Sequence, residues 1–218
     1  MEENTLRPCG CTEASVITVG VNRLVVEEDL AAGRVACPKC SGPVARWGWA
    51  RERAIHGLGR RRPRRGRCRR CGATHVLLPT VMLARRGYSA QIIVDALMFK
   101  SRGWGHRRIA KTFGIPAATV RGWIRRMGRR LDEVRAVFSQ VATRVWTDRP
   151  SPPPSGSAWE VMLDALGAAR QALASRFAGH HIVTLKLWEV ATALSAGRLL
   201  SPGWPGVAIA KGANTSCP

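Results

Sequence analysis

The chain has 218 residues, and its 35 Lys and Arg against 14 Asp and Glu give a formal net charge of +21. With 45% hydrophobic residues it is expected to fold into one or two small domains, which disfavours a large single-core enzyme. The first residues lack the pattern of a signal peptide, and no apolar run is long enough to span a bilayer. We therefore expect a cytoplasmic, nucleoid-associated protein without a membrane partner.

The first predicted elements are short strands. Residues 16–26 are rich in β-branched side chains, residues 34–36 lead into a cysteine pair, and residues 72–79 form a strand-like segment closed by Pro79. Residues 60–70 contain eight Arg, interrupted by Pro63 and Gly66, and are predicted to be a flexible loop that contacts phosphates. A solvated charge run is the alternative for this loop. We assign residues 1–80 to N-terminal strands and a zinc ribbon.

Two CxxC pairs indicate a metal site, with Cys37, Cys40, Cys68 and Cys71 as its ligands. Four thiolates in tetrahedral geometry favour Zn²⁺ and leave no coordination position for a substrate, so a structural role is expected. The 27 residues between the pairs exceed the usual spacing of about 15–20, and the Arg-rich loop can account for the excess. Whether Cys9 and Cys11 bind metal stays open, although we interpret them as unligated. The five histidines are interpreted as core or surface residues.

Three helices are predicted next, in a domain over residues 81–147. A helix begins at Ser89, a second covers residues 106–113 and ends at Gly114, and a third follows Pro116. The apolar period of the third helix continues to Val145, which predicts an extended helix. Its seam could form a homodimer or pack against the rest of the chain, and the sequence leaves both open.

The C-terminal part is predicted to be helical and separate. Residues 148–157 are a Pro/Ser linker by composition, residues 158–200 read as a helical hairpin, and residues 201–218 read as a loose tail. The predicted fold class is therefore α+β and mainly α: a small β zinc ribbon, a three-helix helix-turn-helix domain and a C-terminal helical hairpin.

The positive charge is concentrated in one segment. Residues 46–130 contain 23 Lys and Arg but only two acids, whereas the rest of the chain is neutral. A compositional bias toward arginine would not remove acids from one segment, but a surface that binds a polyanion requires both features. We therefore expect a nucleic acid as the partner, and the predicted helix-turn-helix domain favours double-stranded DNA.

Candidate DNA contacts follow from helical geometry. If Val120 and Trp123 are buried, the outward positions of the third helix are the candidate base readers: Ala117, Ala118, Arg121, Gly122 and Arg125. Ten further arginines are candidate phosphate contacts, which position the protein on DNA without specifying its sequence. They are Arg60, Arg61, Arg62, Arg64, Arg65, Arg107, Arg108, Arg126, Arg129 and Arg130.

The segments CPKC, CRRCGATHVLLP and RRIAKTFGIPAATVRGWIRR together resemble the zinc-ribbon plus helix-turn-helix proteins associated with bacterial insertion sequences. The likeness covers residues 34–130. It implies sequence-specific DNA binding in transposition, often beside a separate recombinase or transposase subunit, and it does not imply catalysis in this chain.

Catalysis is not expected. A DDE-type transposase needs three carboxylates on an RNase H-like sheet, and the residues after the third helix leave no room for one. The alternatives are a transcription regulator built from the same parts and the N-terminal DNA-binding fragment of a larger DDE-type transposase. RNA binding is less favoured, because few aromatic residues lie in the Arg-rich loop.

Overall fold

The computed structural model describes residues 15–146, 155–177 and 185–206. It is an α+β protein with seven helices and a small β-sheet region in these residues. The predictions for Cys9 and Cys11, for most of the linker and for the end of the tail lie outside the described residues. None of the described helices is long and apolar enough to cross a membrane.

A four-stranded sheet carries the cysteine pairs. Its order is β1 (Ser15–Val19), β6 (Thr74–Pro79), β5 (Arg64–Cys68) and β2 (Val44–Trp49). β1 and β6 are parallel and the other pairs are antiparallel, with a β-bulge in β2 between Arg46 and Gly48. A second sheet of two strands, β3 (Arg53–Ile55) and β4 (Gly59–Arg61), lies in the chain between β2 and β5. The predicted strand before Pro79 is confirmed.

The strand predicted over residues 16–26 is wrong in its second half, where helix α1 (Arg23–Ala31) begins. The Asn22 side chain accepts a hydrogen bond from the Leu24 amide at 3.0 Å and caps the helix. Val26 and Leu30, four residues apart, are buried in the apolar cluster beside the cysteines. Capping and this packing outweigh the strand preference of the β-branched residues.

The Arg-rich segment is not a flexible loop, because β4 and β5 account for most of it. β5 pairs with both β2 and β6, so its backbone groups are bonded on both sides. Gly66 is required at the centre of this strand, since a Cβ there would lie 2.4 Å from Val44 Cγ1. Most of the charged side chains therefore project from ordered strands.

Helices α2 (Ala90–Ser101), α3 (His106–Phe113) and α4 (Ala117–Gly128) agree with the predicted positions. The prediction of one extended third helix is wrong. α4 ends at Gly128, and a separate helix, α5 (Leu131–Val145), follows. α5 packs along α6 (Ala158–Arg176). Its apolar seam is thus covered within the chain, which was the alternative to a homodimer seam.

The C-terminal elements join the same core as α2, α3 and α4. α6 contacts α7 (Leu187–Leu194), but its main partner is α5, and α7 packs mainly against α2. The start of the predicted loose tail is also packed, because Trp204 is buried with its ring 6.3 Å from that of Phe138. The predicted separate hairpin is therefore part of one helical core.

Candidate functional site

Four cysteine sulfurs meet at one end of the four-stranded sheet. The Sγ atoms of Cys37, Cys40, Cys68 and Cys71 all lie within 4.8 Å of one another. Cys37 and Cys71 are 3.7 Å apart, and Cys40 and Cys68 are 3.5 Å apart. Four sulfurs at a Zn–S distance of about 2.3 Å on a tetrahedron are about 3.8 Å apart. The predicted ligands are therefore close enough together to hold one metal ion.

Each cysteine pair sits on a tight turn. In the first, the Ser41 amide donates to the Cys37 carbonyl at 2.8 Å and Ser41 adopts a φ of 56°. In the second, the Gly72 amide donates to the Cys68 carbonyl at 3.1 Å, with a φ of 71° at Gly72. The first turn leads to β2 and the second joins β5 to β6. Pairing of these strands is what joins the two halves of the cluster.

The surroundings of the sulfurs separate their acidities. The Cys71 amide, followed by the Arg70 amide at 3.4 Å, lowers the pKa of Cys68 to about 6. For Cys40, the Gly42 amide favours the thiolate, but burial and the neighbouring thiols together raise its pKa to about 11. Cys68 thus ionises readily, whereas ionisation of Cys40 is suppressed by burial and by the neighbouring thiols. Binding of a divalent cation to all four would release protons.

His75 lies beside the cysteine cluster and contacts one of its sulfurs. It is buried, its Nδ1 is hydrogen-bonded to Ser15 Oγ, and its Nε2 lies 3.3 Å from Cys37 Sγ. Burial, followed by the charge of Lys39, lowers the pKa of His75, which favours the neutral ring. His75 is therefore a core residue, one of the two predicted alternatives. Its contact with Cys37 was missed, because it depends on the strand register.

The second candidate site is the outward face of α4, which packs against α3. Gly114 adopts a left-handed conformation with φ 63° and ψ 37° between the two helices. Ala110, Val120 and Trp123 are buried at or near the contact. The Trp123 ring also meets Tyr88 edge-on, with centroids 5.1 Å apart. These contacts fix the orientation of α4.

Three predicted base readers, Ala118, Arg121 and Arg125, are exposed on α4. Gly122 is half-buried, and a Cβ there would meet only the flexible end of Arg126, at 3.2 Å. Ala117 is also half-buried and packs against the helical core. Ala117 is therefore less accessible than predicted, although Ala118 beside it is exposed.

Most predicted phosphate contacts are exposed. The Arg108 guanidinium lies 3.7 Å above the Trp104 ring, and Arg60 pairs with Glu52 at 2.7 Å while staying 78% exposed. Surface pairs of this kind contribute little and can be exchanged for phosphate. The exposed arginines are Arg60, Arg61, Arg62, Arg107, Arg108, Arg126 and Arg129.

Two predicted phosphate contacts are structural instead. Arg64 is only 16% exposed, pairs with Glu27 at 2.9 Å and lies 4.5 Å from the Trp49 ring centroid. Arg130 donates to the Ser201 carbonyl at 2.7 Å and to the Trp204 carbonyl. Burial lowers the pKa of Arg130. Arg65 is half-buried and so is less accessible than predicted. The sequence shows the charge of these residues but not these partners.

Comparison with known proteins bears on both candidate sites. Residues 37–127 match the model of a family described as a domain of unknown function, DUF6431. No curated protein and no solved structure gives a significant match. The matched segment runs from the first clustered cysteine to the end of α4. It is therefore similar to a family over the stretch that contains both the cysteine cluster and the outward face of α4.

Proposed function

We propose that this protein is a non-catalytic, sequence-specific double-stranded DNA-binding protein with a structural Zn²⁺, acting as a DNA-recognition component of a mobile element. The observation that carries the proposal is the α3–α4 pair: two short helices joined through a left-handed Gly114, with Arg121 and Arg125 exposed on the second. In helix-turn-helix proteins, the second helix of such a pair inserts into the major groove.

The exposed side chains of α4 suit base recognition. Ala118 and Gly122 are small and permit close approach of the helix to the base edges. Arg121 can donate two parallel hydrogen bonds to guanine O6 and N7, the commonest specific contact in the major groove. Exposed arginines on α3 and beyond α4 supply phosphate contacts on either side. α4 therefore reads the sequence and its neighbours set the register.

A structural role for zinc rests on the donor set. Four thiolates saturate a tetrahedral ion, so no position remains for a water or a substrate. Both turns of the cluster are continuous with β2, β5 and β6, and metal binding would fix the ends of these strands. We expect near-stoichiometric zinc in the purified protein, measured by atomic emission. Metal-free protein that keeps its fold would contradict the structural role.

The test of specificity is selection of bound sequences from a random duplex library by the zinc-loaded protein at physiological salt. One enriched motif is expected, and Arg121→Ala should lose discrimination by about 1–3 kcal/mol at one base pair. Arg144→Ala, which removes an exposed charge from α5, is the matched control and should keep the motif. No enriched motif, or equal loss in both variants, would refute the role of α4.

The position of the motif separates the two leading accounts. Motifs at the ends of a mobile element support transposition, whereas motifs at a promoter support a transcription regulator. The proposed separate recombinase would then be sought at the C-terminal helices.

A further inference from the structure

An exposed tryptophan lies on the cysteine-bearing sheet. Trp47 in β2 is 53% exposed, and the Arg67 guanidinium of β5 lies 4.7 Å from its ring centroid. We propose that Trp47 and Arg67 form a stacking site for an unpaired nucleobase and its phosphate. The inference rests on the proposed nucleic-acid function and adds a second contact surface with a different substrate, a single strand.

The strand geometry brings these two residues together. β2 and β5 are antiparallel, with Ala45 opposite Arg67, and the bulge between Arg46 and Gly48 contains Trp47. Arg67 covers one face of the indole, and the exposure of the ring indicates that another part of its surface is open. The guanidinium contact favours one orientation of the indole. The part of the ring that stays exposed can stack against a planar group.

A neighbouring tryptophan, Trp49, makes similar contacts with arginine, but there the charge is paired within the protein. Trp49 lies between Arg23 and Arg64, at 4.3 Å and 4.5 Å from its centroid, and Glu27 neutralises Arg64 at 2.9 Å. Arg64 and Arg67 project to opposite faces of β5 by strand alternation. The Trp49 group is satisfied within the protein. The Trp47 group is half-exposed, and no described carboxylate pairs with its arginine.

Arg67 also keeps hydrogen-bonding capacity for a ligand. Its Nε donates to the Gly72 carbonyl at 3.3 Å, which anchors the side chain and leaves the two terminal nitrogens available for a phosphate. Exposed Arg69 and Arg70 follow in the next turn and add positive charge. Arg67, Arg69 and Arg70 make β5 and the turn after it cationic, so a polyanion with planar groups complements this part of the surface. A nucleic acid strand has both properties.

The test uses the full-length, zinc-loaded protein with labelled oligothymidylate and oligouridylate, at physiological salt. Trp47→Ala should weaken binding of at least one strand by about 5- to 150-fold, the range for loss of one stacked base. Trp47→Phe keeps a ring and should stay within a few-fold of the wild type. Phe177→Ala removes an exposed aromatic residue just after α6 and should have no effect. Quenching of tryptophan fluorescence by the strand should decrease in Trp47→Phe.

Three outcomes would overturn the proposal. The first is wild-type affinity of Trp47→Ala for both strands, and the second is equal weakening by Phe177→Ala. The third is that Trp47→Ala loses binding to polyglutamate while its strand binding is unchanged, which would indicate an acidic protein partner. Arg67→Ala gives an independent check if Trp47→Ala does not fold. Duplex selection by α4 is measured separately through Arg121→Ala, so either surface can fail while the other stands.

Discussion

Gly114 offers the sharpest test of the α3–α4 geometry, through substitution by alanine. Its φ of 63° and ψ of 37° are left-handed, and a Cβ built there has no neighbour within 4 Å. The cost of Gly114→Ala is therefore backbone strain without a steric clash, about 1–2 kcal/mol. Relief by reshaping the turn would disturb the end of α3, where the Ile115 amide donates to the Ala110 carbonyl at 3.0 Å.

The assay is urea unfolding of the zinc-loaded protein, followed by circular dichroism. With a slope of about 2 kcal/mol/M, the midpoint of Gly114→Ala should fall by about 0.5–1 M, and Gly114→Asn should cost less because asparagine tolerates this conformation. Gly87→Ala is the control: it also has open space, but its φ is outside the left-handed range, so its midpoint should hold or rise. Equal midpoints for Gly114→Ala and Gly87→Ala would refute the left-handed turn.

Two further substitutions test the helical core. Arg130→Gln should destabilise the fold by about 1.5–3 kcal/mol, because it removes charged donors from the carbonyls of Ser201 and Trp204. Arg129→Gln makes the same charge change at an exposed position and should cost under about 0.5 kcal/mol. Equal urea midpoints for the two variants would contradict this. Burial raises the pKa of Asp95, so its ionisation costs stability as pH rises through that pKa. Asp95→Asn should therefore be more stable than wild type at neutral pH, and the difference should vanish well below the ordinary Asp pKa of about 3.9; a gain that persists in acid would show another cause.

The cysteine cluster and the three central helices were predictable because their signals are local. A CxxC turn needs only its own four residues to present two sulfurs, and Gly114 ends α3 by its own backbone preference. The pairing of the two turns needed one further assumption, that two such turns in one small domain share an ion. The 3.5 and 3.7 Å sulfur separations fit that assumption.

Elements set by tertiary contacts were not predictable in the same way. Residues 23–26 favour a strand by composition, yet Val26 faces the cluster beneath the sheet as part of a helix. The break after Gly128 interrupts an apolar period that continues into α5, and α6 lies later in the chain. In both cases a local signal, the Asn22 cap or Gly128, acts together with a packing partner that is distant in sequence, so the local pattern alone was not sufficient.

The candidate phosphate-contacting arginines differ in how accessible they are to a nucleic acid. Each phosphate contact contributes about 0.9 to the salt dependence of affinity, so ten candidate arginines imply a slope near −9. Arg64 and Arg130 already have partners inside the fold, and Arg65 is half-buried. Arg60, in contrast, can exchange its exposed pair with Glu52 for a phosphate. Part of the charge of this chain therefore holds the fold together, and only the exposed part is expected to contribute to the slope if the proposed DNA binding holds.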